Sequence, residues 1–497
     1  MAIIAGIDCG TQSTKVLCFD SKTKKVVALQ SFKHTLISKE DGTREQEASL
    51  FTDAIKECFK NIPSSIKEKI EGIGVSGQQH GFVALDKNGN PLVPVKLWCD
   101  TSTHEQCITL TERLGGKKKV FDLIGNQILP GYTASKVLYL KEKNKERYDK
   151  LAHILLPHDY INYYLTGNYV MEEGDASGTA FFDVRNREWS KEVLNAIDED
   201  RDLRECLPKI IKCTEKAGNI SESTAKELGL KTSCIVSCGG GDNMMGAIGT
   251  GCTEDGSLVM SLGTSGTLFG YSEKCITDEK ERLAAFISSS GGYLPLLCTM
   301  NCTVASEQMR DLFKKDVKEF DKMANDAPIG CEGVTLLPYF NGERTPNYPN
   351  GKATIIGLNT SNTTETNISR AALESAIYSM KVGLEAFVEQ GFVAKKLILI
   401  GGGAKSKVWC QMISDAFDLE VVIPEITESA AFGGCLQVLS LIEKKKINDT
   451  AKEYCRMSEE NHYYADHKNN IKYEESYRTY RKYDAALSTI FATKEQK

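Results

Sequence analysis

Asp242 closes the run Ser237-Cys238-Gly239-Gly240-Gly241-Asp242-Asn243, after the apolar Ile235-Val236 and before the small-residue pattern Met244 to Gly249. The pattern predicts a strand, a glycine turn and a helix that starts at an acidic side chain. A carboxylate there can be an ordinary N-cap. It can equally be a general base, kept ionised by the positive end of the helix. Consecutive glycines exceed what a cap requires, because they let the backbone approach a ligand closely. A second carboxylate, Asp8, ends an apolar strand in Ile7-Asp8-Cys9-Gly10-Thr11-Gln12-Ser13. Backbone N–H groups and hydroxyls in such a turn can converge on phosphate oxygens. A strand, a Gly-Thr turn and a strand recur around Ser261-Leu262-Gly263-Thr264-Ser265, with Gly263 253 positions after Gly10, about half of the 497 residues. In that alignment Asp8 stands opposite Ser261, so only the first turn carries a carboxylate.

Taken singly, each glycine turn also reads as a plain tight turn, and none is the GxxxxGK[ST] loop. Together they could clamp a triphosphate between two lobes. Thr11, Gln12 and Ser13 would face Gly263 and Thr264, and Asp8 would hold Mg2+ directly or through water, since magnesium favours one or two carboxylates plus phosphate oxygens. A third turn, Gly401-Gly402-Gly403-Ala404, follows the apolar strand Lys396 to Ile400 and opens into a helix through Trp409, Met412, Ile413 and Phe417. In Val75-Ser76-Gly77-Gln78-Gln79-His80-Gly81, two amides and an imidazole sit between glycines. Such groups suit a polyhydroxylated ligand, although His80 by itself reads equally as a structural histidine.

The elements that must carry these residues follow from periodicity. Strands are expected at Ala2 to Ile7, Lys15 to Phe19 and Val26 to Phe32, forming an antiparallel meander. A helix is expected at Glu47 to Asn61, with Leu50, Phe51, Ala54, Ile55, Cys58 and Phe59 on one stripe. A strand begins at Ile70, and a hairpin is expected between Phe82–Leu85 and Leu92–Val95 around Asp86 to Asn90. Gly249-Thr250-Gly251 is a candidate hinge, giving domains at 1–251 and 252–497. An amphipathic helix carrying Tyr473, Tyr477 and Tyr480 closes the chain. Mixed strands followed by helices imply an α/β protein.

Hydrophobic residues make up 41% and charged residues 26%, the balance of a folded soluble chain. A net charge of -6 argues against general nucleic-acid binding. No apolar run approaches the roughly 20 residues that cross a bilayer, and MAIIAGIDCG has no basic leader, so a cytoplasmic protein without membrane association is expected. The 17 cysteines are scattered singly and read as free, mostly buried thiols. A homodimer fits the sequence as well as a monomer does.

The segments Ile7 to Lys15, Gly77-Gln78-Gln79-His80-Gly81, Gly239-Gly240-Gly241-Asp242-Asn243, Ser261-Leu262-Gly263-Thr264-Ser265-Gly266, Gly342-Glu343-Arg344-Thr345-Pro346 and Gly401 to Ala404 resemble those of the FGGY carbohydrate kinases. They occur in the family's order and span almost the whole chain. The resemblance implies two actin-like (ribonuclease H-like) domains around a deep cleft, and ATP-dependent phosphorylation of a sugar with release of ADP. The Gln-Gln-His-Gly loop, Leu97 to Thr103 and Pro130 to Lys136 resemble the members acting on D-xylulose at its 5-hydroxyl. Other ketoses or polyols, such as ribulose or L-xylulose, and less readily an actin-like regulatory ATPase, are the alternatives. Carried over by position, Asp242 is the catalytic base, Asp8 the carboxylate near Mg2+, and Gln79, His80, Asp242 and Asn243 the sugar-binding set. Thr11, Gln12, Ser13, Gly263 and Thr264 match phosphate-loop positions, while Gly402, Gly403 and Ser406 match the nucleotide turn. Lys15, Asp175 and Arg344 lie in family-like segments without an assigned role. Ser135, where many relatives have proline, and Gly351-Lys352-Ala353-Thr354 depart from the family pattern.

Overall fold

The computed structural model describes residues 2–491. Its framework is a pair of mixed sheets with the same strand order. In the first, Ile3–Cys9 pairs antiparallel with Ser13–Asp20, which pairs antiparallel with Lys25–Lys33. On its other side Ile3–Cys9 runs parallel to Ile70–Gly77, which runs parallel to Ile235–Ser237, and Lys216–Asn219 adds an antiparallel edge. In the second, Ser257–Leu262, Gly266–Gly270 and Leu296–Thr299 form the meander. Lys396–Ile400 and Glu420–Pro424 follow in parallel, and Met457–Tyr463 closes the edge antiparallel. The repeat suggested by two short turns is therefore a repeat of whole sheets.

Central strands are buried on both faces, which is why they read as nearly continuous apolar runs. In Ile3–Cys9, Ala5, Ile7 and Cys9 pack with Phe51, Ile55 and Phe59 of the helix Ala48–Lys60. Ile4 points the other way, toward Phe432, Leu436 and Leu439 of the helix Ser429–Glu443. That helix comes late in the chain yet lies on the first sheet, and it also crosses the helix Asp242–Gly249. The approach is backbone to backbone. A Cβ on Gly6 would sit 1.8 Å from the Ala431 carbonyl oxygen, one on Gly249 1.9 Å from that of Ser429, and one on Gly433 1.9 Å from that of Met245. The second sheet is covered by Glu365–Glu389, and the closing helix His467–Phe491 packs on the helix Lys407–Phe417, with Tyr473, Tyr477 and Tyr480 buried as the sequence predicts.

The expected hairpin around residues 86–90 forms only in part. Val83–Leu85 pairs antiparallel with His153–Leu155 instead, and Val95–Lys96 pairs with Glu45–Gln46. Leu92 N–H still donates to the Ala84 carbonyl at 2.9 Å. Pro91 and Pro94 have no N–H to continue that ladder, so another strand takes the place. All seventeen cysteines are free. No described helix is long and apolar enough to cross a membrane.

Candidate active site

Parallel pairing sets Asp8 beside Ser76 and antiparallel pairing sets it across from Lys15. Ser76 Oγ donates to Asp8 Oδ1 at 3.0 Å. Lys15 does not neutralise Asp8: its Nζ lies 2.5 Å from Glu428 Oε2, just before the helix Ser429–Glu443. Burial raises the Asp8 carboxyl to about 6, against the lowering effects of Ser76 and Lys15.

Asp242 is the first residue of the helix Asp242–Gly249, and the cap position belongs to Gly241, which makes no side-chain cap. The plain N-cap reading of Asp242 therefore fails. Its Oδ1 instead accepts from Asn243, from the backbone N–H at 2.8 Å and from Nδ2 at 3.0 Å. Burial pushes its carboxyl up to about 7, the negative charges of Asp8 and Asp175 push the same way, and the bonds from Asn243 oppose them. The residue as a whole is half-buried. A carboxyl raised toward neutrality is the kind of group that general-base chemistry uses.

The triple glycine serves neighbouring protein more than the sequence suggests. A Cβ on Gly239 would meet the Val75 carbonyl oxygen at 2.6 Å, one on Gly240 the Ser289 Oγ at 2.4 Å, and one on Gly241 the Gln79 Cγ at 2.7 Å. The last contact joins the acidic turn to the Gln-Gln-His-Gly loop. Asn243 Nδ2 donates to Gln79 Oε1 at 2.8 Å, and Gln79 Nε2 is buried without a protein partner. From the second sheet, Thr267 Oγ1 donates to Asn243 Oδ1 at 3.3 Å. His80 adopts a φ of 64°, and its ring packs edge-on to Tyr132 at 4.8 Å and against Phe286 at 5.5 Å. The buried Lys136 Nζ donates to the His80 carbonyl at 2.8 Å and to that of Gly131 at 2.7 Å, so it clamps the loop in place. Burial, then the cations Arg344 and Lys136, hold the imidazole well below its ordinary range, so it is neutral at pH 7.

Thr11, Gln12 and Ser13 form the first hairpin turn and Gly263 and Thr264 the second, each at the end of a central strand. The Thr11 hydroxyl is already engaged, donating to Gln78 Oε1 and accepting from Trp98 Nε1, both at 2.9 Å. It shapes the turn and is already committed within the protein. Gly401 and Gly403 pack on Leu262, beside the second hairpin, where a Cβ on either would come within 2.8 Å of that residue. Gly402 is exposed with open space around it. Ser406 caps the helix Lys407–Phe417, accepting from the Trp409 N–H at 3.1 Å.

Sequence reasoning missed Ser76, the pinning of Thr11 by Trp98 and Gln78, and a buried set behind the triple glycine. There His158 Nδ1 lies 2.5 Å from Asp175 Oδ2, and His158 Nε2 lies 3.0 Å from Asp159 Oδ1. Burial disfavours the imidazolium, but Asp159 and Asp175 win and raise His158 to about 9. Asp175 thus has a position in the protein interior, behind Asp242.

Residues 3–249 match the N-terminal domain and residues 258–439 the C-terminal domain of the FGGY family of carbohydrate kinases. The chain belongs to that family. It is 42% identical over 482 residues to a xylulose kinase of Haemophilus influenzae, covering 96% of this chain and 98% of the relative. A xylulose kinase of Streptomyces rubiginosus is 34% identical over 441 residues, with 88% of each chain covered. Among solved structures, a kinase from Brucella ovis described as a xyloylose kinase superposes with a TM-score of 0.91 at 26% identity, covering 98% of this chain and 100% of the other. The two matching sheets are thus the duplicated actin-like architecture of FGGY kinases, and the protein is an enzyme that phosphorylates a sugar with ATP. Membership removes the regulatory-ATPase alternative.

Proposed function

We propose that the enzyme transfers the γ-phosphoryl group of ATP to the 5-hydroxyl of D-xylulose, releasing D-xylulose 5-phosphate and ADP. The observation that carries this reading is the chain of contacts Asp242–Asn243–Gln79, which sets a base of near-neutral pKa beside a loop rich in hydroxyl-binding groups. The choice of sugar is supported by the Haemophilus influenzae relative, a xylulose kinase alike over nearly its full length. Asp242 accepts the proton of the 5-hydroxyl as that oxygen attacks the γ-phosphorus in line and the bond to the β-bridging oxygen breaks. Gln79, His80 and Asn243 hold the remaining hydroxyls. The turns at Thr11–Ser13 and Gly263–Thr264 face the phosphates from opposite halves, and Gly402, Gly403 and Ser406 border the nucleotide. Transfer of this kind depends chiefly on positioning and on charge stabilisation.

The residues present fit Mg2+. Asp8 has no ion-pair partner among the described residues, and its recorded hydrogen bond, from Ser76, occupies only one of its oxygens. One carboxylate supplemented by phosphate oxygens and waters is a normal magnesium environment. When bound there the ion would neutralise charge on the phosphates. Domains divided near Gly249–Gly251 would close on the sugar and exclude water from the γ-phosphate. The protein would act in the cytoplasm, as a monomer or a homodimer, on small molecules and without a nucleic-acid partner.

A panel of D-xylulose, D-ribulose, L-xylulose and glycerol, followed by ADP release and phosphorus NMR of the product, tests the reading. D-Xylulose should give the highest kcat/KM and a 5-phosphate. A higher value for another sugar would replace it as the substrate.

A further inference from the structure

Arg344 comes from the second half of the chain, in Gly342-Glu343-Arg344-Thr345-Pro346. The carboxylate next to it does not neutralise it. Glu343 is buried, and its Oε1 accepts from the Met300 N–H at 2.5 Å and the Arg344 N–H at 2.8 Å. Its Oε2 accepts from Asn301 Nδ2 at 3.0 Å. Glu343 thus fixes the backbone and presents the arginine. The guanidinium lies 5.6 Å over the Tyr132 ring, with Nη2 only 3.5 Å from the Tyr132 hydroxyl, and no carboxylate among the described residues is paired with it. Cys298 also accepts from it, so two neutral side chains, and no charged one, meet its five N–H donors. Tyr132 also packs edge-on against His80, in the loop whose Gln79 accepts from Asn243 beside Asp242. Arg344 is thus joined through Tyr132 to the loop that flanks Asp242.

A 2-ketopentose supplies what this arginine lacks. Its 5-hydroxyl is free to react only in the open chain, because furanose closure consumes that oxygen in a bond to C2. The open chain carries a C2 carbonyl oxygen and a C1 hydroxyl oxygen side by side, at the end remote from C5. A planar guanidinium with parallel N–H groups matches two adjacent oxygens, as an ammonium does not. We propose that Arg344 reads this α-hydroxyketone end, holding the sugar open and selecting a ketose over the corresponding alditol. This role rests on the ketopentose reading given above. Because Gln79 and His80 belong to the first half, the sugar would then be gripped from both halves.

Calorimetry on the whole protein with D-xylulose and its two C2-reduced products, xylitol and D-arabitol, tests the role. Wild type should bind the ketose about 10–100-fold more tightly, the worth of hydrogen bonds from a charged donor. Arg344→Gln should abolish that preference by weakening the ketose, with alditol and ATP affinities within about threefold of wild type. Arg344→Lys, which keeps the charge but not the fork, should recover only part of the preference. An unchanged ketose-to-alditol ratio in Arg344→Gln overturns the role, as does an equal loss for all three sugars with ATP binding intact. A wild type that binds none of the three overturns the ketopentose reading, and this role with it. Binding of ketose by wild type separates the two failures.

Discussion

The first and second sheets share a strand order and differ in what stands at the strand ends. Strand register makes Asp8 and Lys15 of the first hairpin equivalent to Ser261 and Thr267 of the second. The parallel neighbour contributes Ser76 in one case and Ile400 in the other. Beyond it the first half continues Gly77-Gln78-Gln79-His80 and the second Gly401-Gly402-Gly403-Ala404. One backbone plan thus provides a Gly-Thr turn in each half, while the next turn was filled with hydrogen-bonding side chains in one half and stripped to glycine in the other. Side chains that bind hydroxyls select an acceptor. A bare turn lets a nucleotide lie close. Duplication explains the shared scaffold, and under the proposed function the differences would set the transfer from the second half toward the first.

The comparison breaks most sharply at the base. Asp242→Asn should lower turnover by about 10²–10⁴-fold, the usual range for a general base, while calorimetry finds ATP binding unchanged. Asp8→Ser makes the first hairpin resemble the second and should cost about 10²-fold in turnover, as loss of one electrostatic stabiliser does, with partial recovery at high Mg2+. The reciprocal Ser261→Asp should weaken ATP binding in the same assay without restoring turnover.

The pH dependence sharpens the contrast. The Asp242 carboxyl is raised to about 7 in the free enzyme, so it is protonated, and unable to accept a proton, below that pH. kcat/KM for the sugar should therefore fall as pH drops through about 7. Asp8 contributes to the raised value, so Asp8→Asn should move this limb to lower pH even as it slows the reaction. The smallest effect is expected at the link between the halves. Thr267→Val removes the 3.3 Å bond to Asn243 and should raise the sugar KM about 2–10-fold, the worth of one neutral hydrogen bond.

Much of this plan was legible in the residues, because central strands and amphipathic helices announce themselves by burial pattern. Asp8, Asp242 and the Gln79-His80 pair stand at strand ends, where a glycine marks the break in that pattern. Contacts set by register across the fold were not legible. Ser76 meets Asp8 only because two strands 67 residues apart in starting position run parallel, and Trp98 reaches Thr11 from a segment with no periodicity of its own. The buried His158–Asp175 pair carries no local signal either, since a histidine in an apolar helix reads as core. The 82–95 hairpin misled because a good turn at Asp86–Asn90 says nothing about which strand will pair with Val83–Leu85. The triple glycine was read as room for a ligand, whereas neighbouring backbone and side chains occupy that room.

The helix Ser429–Glu443 has a consequence for any attempt to take the protein apart. It shields Ile4, Leu17 and Phe19 from water although more than 400 residues separate it from them. A fragment ending at residue 251 would leave those side chains bare and should be recovered in aggregates. Supplying the missing polypeptide as a separate chain should return it to solution. Folding of the front sheet is therefore completed only after most of the ribosome's work is done.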